Sequence, residues 1–334
     1  MSETDLAKAA HNVIRNSLRV RKGEQVVVVI EEDRIEIAKA LIVPVMEQGA
    51  QITFLPIFNE WRDFHRQLEK PLELTISSQN TLKSADVIIS IIEANVGEVG
   101  FRKNILQYAQ SQPCRIAHMP GVTVEDFRDY LKFDFTTIWK KGELLKSLLV
   151  KHVGKVMHIK TDFGTDIKLK ISDKIHISSG IIDSPHRFGN LPAGEVYFVP
   201  EKNSANGHVV IDLARPGRVL EGEDTVEFDV KDGLIEPISG QPYNAWPEFK
   251  EVLSRRGANV LAEVGIGLNE DIKSPTGRDL IDEKMAKTMH FGIGDNVIFG
   301  GWNESEVHLD LVFSKPTVRI DNEVIMSEGK IEGI

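Results

Sequence analysis

The chain has 334 residues, 41% hydrophobic and 27% charged, which is enough for about two domains that each bury a core. Asp and Glu number 50 against 40 Lys and Arg, a formal net charge of −10 with no basic block, so a nucleic-acid partner is not expected. No apolar run nears the ~20 residues that span a bilayer, the start Met1-Ser2-Glu3-Thr4-Asp5 is acidic where a secretory signal is basic, and the single Cys114 can form no intramolecular disulfide; a cytoplasmic protein without a membrane partner is expected.

Residues 4–19 carry Leu6, Ala10, Val13, Ile14 and Leu18 at helical spacing, and Gly23 ends that segment. The β-branched run from Gln25 to Ile30 predicts a strand. Ile35–Gln48 reads as a helix interrupted by Pro44 and closed at Gly49, and Ile52–Pro56 as the next strand. Ala85–Ile92 suits a strand buried on both faces, and Arg115–His118 suits a fourth. This alternation predicts an α/β domain with a parallel sheet wound by helices, over residues 1–145. Leu144–Lys151 is read as a helix at the boundary.

From Lys155 onward the pattern changes to short alternating strands punctuated by turns, among them 195–199, 208–213, 225–230, 260–266, 290–293, 307–313 and 317–320. Residues 146–334 are therefore expected to form a β-rich, antiparallel, barrel-like domain. Gly265-Ile266-Gly267 and Gly292-Ile293-Gly294 each lack the third glycine of a dinucleotide fingerprint, and both lie in the β-rich half. Phosphate-cradling motifs are absent from the sequence.

Four strands of this half carry misplaced polar groups. On Val307–Phe313, His308 and Asp310 fall on one face and Val307, Leu309 and Leu311 on the other. Glu195 and Glu263 each interrupt a core-like strand, and an unpaired buried carboxylate is costly. His290 stands between Met289 and Phe291, on the face of Gly292. Taken singly, each reads first as an ordinary ion pair or satisfied core side chain. Four such strands in one domain point instead to a common partner. Three carboxylates and two neutral imidazoles exceed the three protein ligands of a catalytic mononuclear zinc site. They suit a pair of divalent cations about 3.5–4 Å apart, sharing a carboxylate and a water, which would attack a peptide bond beside a free amino terminus.

At these residues the sequence resembles the aminopeptidase T / aminopeptidase S family of metalloproteases. The resemblance is carried by Ser17-Leu18 through Gly23 and Val26, by Asn190-Leu191-Pro192-Ala193-Gly194-Glu195-Val196-Tyr197, by Asp282-Glu283 followed by His290-Phe291-Gly292-Ile293-Gly294, and by His308-Leu309-Asp310. It implies Glu195, Glu263, His290, His308 and Asp310 as metal ligands, two zinc or cobalt ions, short peptides as substrates and a homodimer. The family has a tyrosine seven residues beyond the histidine matching His290, where this chain has Val297. Tyr197, Lys284 and Arg187 are candidates for a replacement donor, and His186, just before Arg187, is a further histidine near the site in sequence.

Two other readings remain. An iron(II) ring-cleaving dioxygenase of the 2,5-dihydroxypyridine type resembles the same fold family and keeps a His-x-Asp motif, but it has histidine at the place of Glu263 and no carboxylate at that of Glu195. A non-catalytic metal- or peptide-binding homologue would account for Val297. His158, His176 and His208 are expected in packing or surface roles.

Overall fold

In the computed structural model, the described residues are 4–333 other than 62, 64–73, 94–103, 106, 108–110, 186 and 238–245. The chain forms two compact units, 1–137 with 179–193, and 138–178 with 194–334. The sequence-based division at 145/146 differs from this in two respects. The helix Thr136–Lys151 enters the second unit from Ile138 onward, and residues 179–193 return to the first. That return supplies a three-residue strand, Phe188–Asn190, too short for any alternation to show in the sequence.

The first unit holds a five-stranded sheet in the order Gln51–Ile57, Gln25–Glu31, Val87–Ile91, Arg115–His118, Phe188–Asn190, with every pair parallel. Parallel strands with crossovers are covered on both faces, which is why Val26–Ile30 and Val87–Ile91 are buried at every position. Each such Val or Ile contributes roughly 1.5–3 kcal/mol. Thr4 caps the first helix by accepting from the Ala7 N–H, and that helix runs on into a wider turn over Val13–Ser17. Ile35–Glu47 is one continuous helix with Pro44 inside it rather than an interrupted one. Cys114 is buried, and burial pushes its thiol up to about 11, which leaves it unreactive.

The second unit is built on a 14-stranded sheet whose pairings are antiparallel. Its central strands run side by side in the order Asp166–Ser178, Glu195–Pro200, Leu261–Gly267, Thr288–Gly294, His308–Ser314. Period-two alternation sorts their side chains between two faces. One face takes Val196, Phe198, Ala262, Val264, Ile266, Met289, Phe291, Ile293, Leu311 and Phe313, all buried, with the Phe291 and Phe313 rings stacked at 4.8 Å. The other takes the polar residues.

Candidate metal centre

On that second face the register pairs each of the five candidate ligands with a glycine. Gly292 lies opposite both Glu263 and Asp310, Gly265 opposite His290 and Tyr197, Gly267 opposite Glu195, and Gly294 opposite His308. The glycines make room. A Cβ at Gly265 would sit 2.0 Å from Cε1 of His290, and one at Gly292 would sit 2.7 Å from Cβ of Glu263 and 3.0 Å from Oδ1 of Asp310. At Gly267 the obstacle would be the Met285 carbonyl oxygen, at 1.9 Å. Because position 267 has no side chain, segment 283–286 crosses there, held by the Asn269 N–H donating to the Lys284 carbonyl at 2.8 Å. Asp282 fixes the approach by accepting from the backbone N–H groups of Thr276 and Gly277.

The result is one buried cluster. The Nε2 of His290 lies 3.4 Å from Oε2 of Glu195, 3.5 Å from Oε1 of Glu263 and 3.9 Å from Oδ1 of Asp310. The Nε2 of His308 lies 3.5 Å from Oε2 of Glu263 and 3.7 Å from Oδ2 of Asp310. Glu263 and Asp310 therefore turn one oxygen to each imidazole. Atoms bound at 2.0–2.2 Å to a tetrahedral ion are about 3.3–3.6 Å apart, which the three Glu195 and Glu263 distances meet and the two Asp310 distances slightly exceed. Among the described residues, three overlapping groups could hold a cation: Glu195, Glu263 and His290; Glu263, His308 and Asp310; Glu283, His290 and Asp310. Oε2 of Glu195, Oε2 of Glu263 and Oδ1 of Asp310 are buried without a hydrogen-bond donor among the described residues, an expensive arrangement that a cation relieves. The residues fit a metal.

Electrostatics agree with that fit. Burial raises Glu195 and Glu263 to about 7, against the pull of Lys284 on the first and His308 on the second. Burial and the neighbouring Glu283 push Asp310 well up. Burial would raise Glu283 too, but the Lys284 ammonium, a hydrogen bond with Asp310 and His290 bring it down to about 2. Burial lowers His290, keeping its imidazole neutral and able to coordinate. His308 lies 2.7 Å from the Asp295 carbonyl through Nδ1, which puts its proton there and leaves Nε2 as a bare donor facing Glu263.

The five residues singled out as ligands thus come together in space, all within the second unit. Glu283, noted in the sequence only as part of a motif, joins them, and no pattern in the sequence marks it as a ligand. Lys284 is 1% exposed and donates to Oε1 of both Glu195 and Glu283. Tyr197, two positions along the strand from Glu195, stacks on His176 at 5.2 Å and meets Phe299 edge-on at 5.2 Å. Burial and then the carboxylates Glu263 and Glu195 hold its phenol well above the usual range. Arg187 belongs to the first unit, 3.8 Å from Asp183, and is in none of the three ligand groups. Val297 is 48% exposed on a short turn whose Phe299 ring packs against His308 at 5.3 Å. His158 and His208 pair with Asp166 and Asp229, and His176 bonds the Phe299 carbonyl. His186 lies outside the described residues.

Residues 5–333 match the model of the family described as NicX: 2,5-dihydroxypyridine 5,6-dioxygenase. No curated protein matches the sequence. Among solved structures, 2,5-dihydroxypyridine dioxygenase from Pseudomonas putida KT2440 superimposes with a TM-score of 0.74 at 15% identity, over 98% of this chain and 97% of the other. Wild-type AmpT from Thermus thermophilus superimposes with a TM-score of 0.68 at 17% identity, over 98% and 99%. At such identities the two likenesses establish the fold.

Proposed function

The chain belongs to the NicX 2,5-dihydroxypyridine 5,6-dioxygenase family, and from that premise of a metal-dependent enzyme scaffold we propose that this member is a hydrolase that releases amino-terminal residues from short peptides. The observation that carries the reading is the donor set. Each of the three ligand groups offers one imidazole and two carboxylates, and none contains both histidines. Oxygenases that bind iron(II) through a facial triad use two histidines and one carboxylate. Oxygen-rich groups joined through shared carboxylates suit hydrolytic dications such as zinc or cobalt. Bound there, such ions supply a water of lowered pKa and polarise a carbonyl oxygen.

The chain's own residues supply the rest. Glu263 and Asp310 present an oxygen to each side of the centre, and the Asp295 carbonyl holds the His308 ring in the coordinating tautomer. His308 is 29% exposed at its side chain while His290 is sealed, so substrate approaches from the His308 side. Tyr197 keeps its phenolic proton across the working pH range and is the donor we assign in place of the tyrosine absent at Val297. The acidic cluster favours a substrate that brings a free amine.

Metal-loaded protein should hydrolyse leucine p-nitroanilide and a panel of dipeptides, with loss of activity on chelation. The second reading, an iron(II) dioxygenase, is favoured by the family model and by the TM-score of 0.74. Oxygen uptake with 2,5-dihydroxypyridine, and no peptide hydrolysis, would establish that reading instead.

A further inference from the structure

The ammonium of Lys284 is distributed unevenly over the cluster. It donates to Glu195 and Glu283, the two carboxylates that accompany His290 and belong to no group with His308. Among the described residues, Glu263 and Asp310 have imidazoles but no lysine or arginine within ion-pair distance. Lys284 is 1% exposed, so solvent screens it little, and its ammonium is in ion-pair contact with both carboxylates. A cation beside His290 would share Glu195 with an ammonium that already holds one of its oxygens, and that ammonium repels it. A cation beside His308 meets two carboxylates that, among the described residues, no lysine contacts.

We propose that Lys284 is a resident counter-cation that makes the two metal positions unequal, with the Glu263, His308 and Asp310 position holding its ion tightly and the Glu195, Glu263 and His290 position exchanging its ion freely. Lys284 is thereby a positioning residue: it acts through Glu195 and Glu283 and, being buried, does not meet the substrate. The inference rests on the metal-hydrolase reading only in taking divalent ions at this cluster.

Stepwise titration of metal-free full-length protein with zinc, by calorimetry, and with cobalt, by visible absorption, tests it. The wild type should bind in two steps at least tenfold apart in affinity and should retain one ion per chain after dialysis. His308→Ala should abolish the tight step and His290→Ala the weak one. Lys284→Met should narrow the gap at least tenfold by tightening the second step, whereas Lys284→Arg should preserve it. Equal affinities in the wild type, loss of the tight step in His290→Ala, or an unchanged gap in folded Lys284→Met would each overturn the proposal. The wild-type and histidine titrations decide the matter even where Lys284→Met does not fold. Peptide hydrolysis is scored apart: equal affinities with hydrolysis intact sink the role of Lys284 alone, and unequal affinities without hydrolysis sink only the hydrolase reading.

Discussion

Gly265→Ala is the sharpest probe of how the centre is built. The new methyl carbon would lie 2.0 Å from Cε1 and 2.1 Å from Nε2 of His290, against ordinary contact at about 3.5 Å. The ring must therefore retreat by about 1.5 Å. His290 is wholly buried, so the ring cannot swing out into solvent. Overpacking of this kind costs ~1–3 kcal/mol. Metal ligands tolerate only about 0.2 Å of displacement, and disturbing even an outer partner costs 10–100-fold in affinity. Gly265→Ala should thus lose the ion at the His290 position by at least 100-fold while the His308 position stays loaded. Denaturant unfolding and metal titration measure the two effects. A double-mutant cycle isolates the cause: in a His290→Ala background the methyl group meets no ring, and its cost should shrink to a fraction of the single-mutant value. An equal cost in both backgrounds would refute the steric account, as would unchanged metal binding by Gly265→Ala.

Three further outcomes follow from the same geometry. His308→Ala should lower bound metal and abolish turnover yet move stability by less than about 1 kcal/mol, since its side chain is partly exposed; elemental analysis with thermal unfolding checks both. Glu263→His creates a group of two imidazoles and one carboxylate with His308 and Asp310, and should shift preference from zinc towards iron(II) in competition binding. Glu195 and Glu263 are raised to about 7 from the ordinary 4.5, so folded metal-free protein binds more protons than the unfolded chain between those values, and its stability should fall as pH rises from 5 to 8. Saturating zinc should reverse that trend, because the cation replaces the protons; thermal unfolding at pH 5 and pH 8, with chelator and with zinc, reads the sign.

Much of the centre is legible in the sequence because a strand has period two. In Leu261–Gly267, Glu263 is the one charge among apolar and glycine residues, and in Thr288–Gly294 His290 is the one imidazole. Such side chains on strands otherwise composed of core residues require a partner. The glycines carried as much information and were harder to read. Gly265-Ile266-Gly267 and Gly292-Ile293-Gly294 look like incomplete phosphate loops in one dimension. In the sheet they prove to be the vacant squares opposite Glu195, His290, Glu263, Asp310 and His308. Glu283 was not legible as a ligand. It reaches the cluster on an irregular segment whose path depends on the missing side chain at Gly267, and no periodicity encodes that crossing. Phe188–Asn190 escaped notice for a related reason: three residues show no alternation, and their pairing with Arg115–His118 is long-range.

The two faces of the central strands separate stability from chemistry. Val264, Ile266, Phe291, Ile293, Leu311 and Phe313 lie buried on one face and contribute the apolar energy that holds the strands together. The candidate ligands on the other face lie over glycines, whose missing side chains leave the room that the ligands fill. Exchanging one donor for another of similar size then costs little folding energy while it changes which metal, and which reaction, the site favours. The scaffold keeps its shape at 15–17% identity to two solved structures. At such identities the likeness of the whole chain speaks for the fold, and the reaction turns on the donor set, with Glu263 the residue whose exchange tests it.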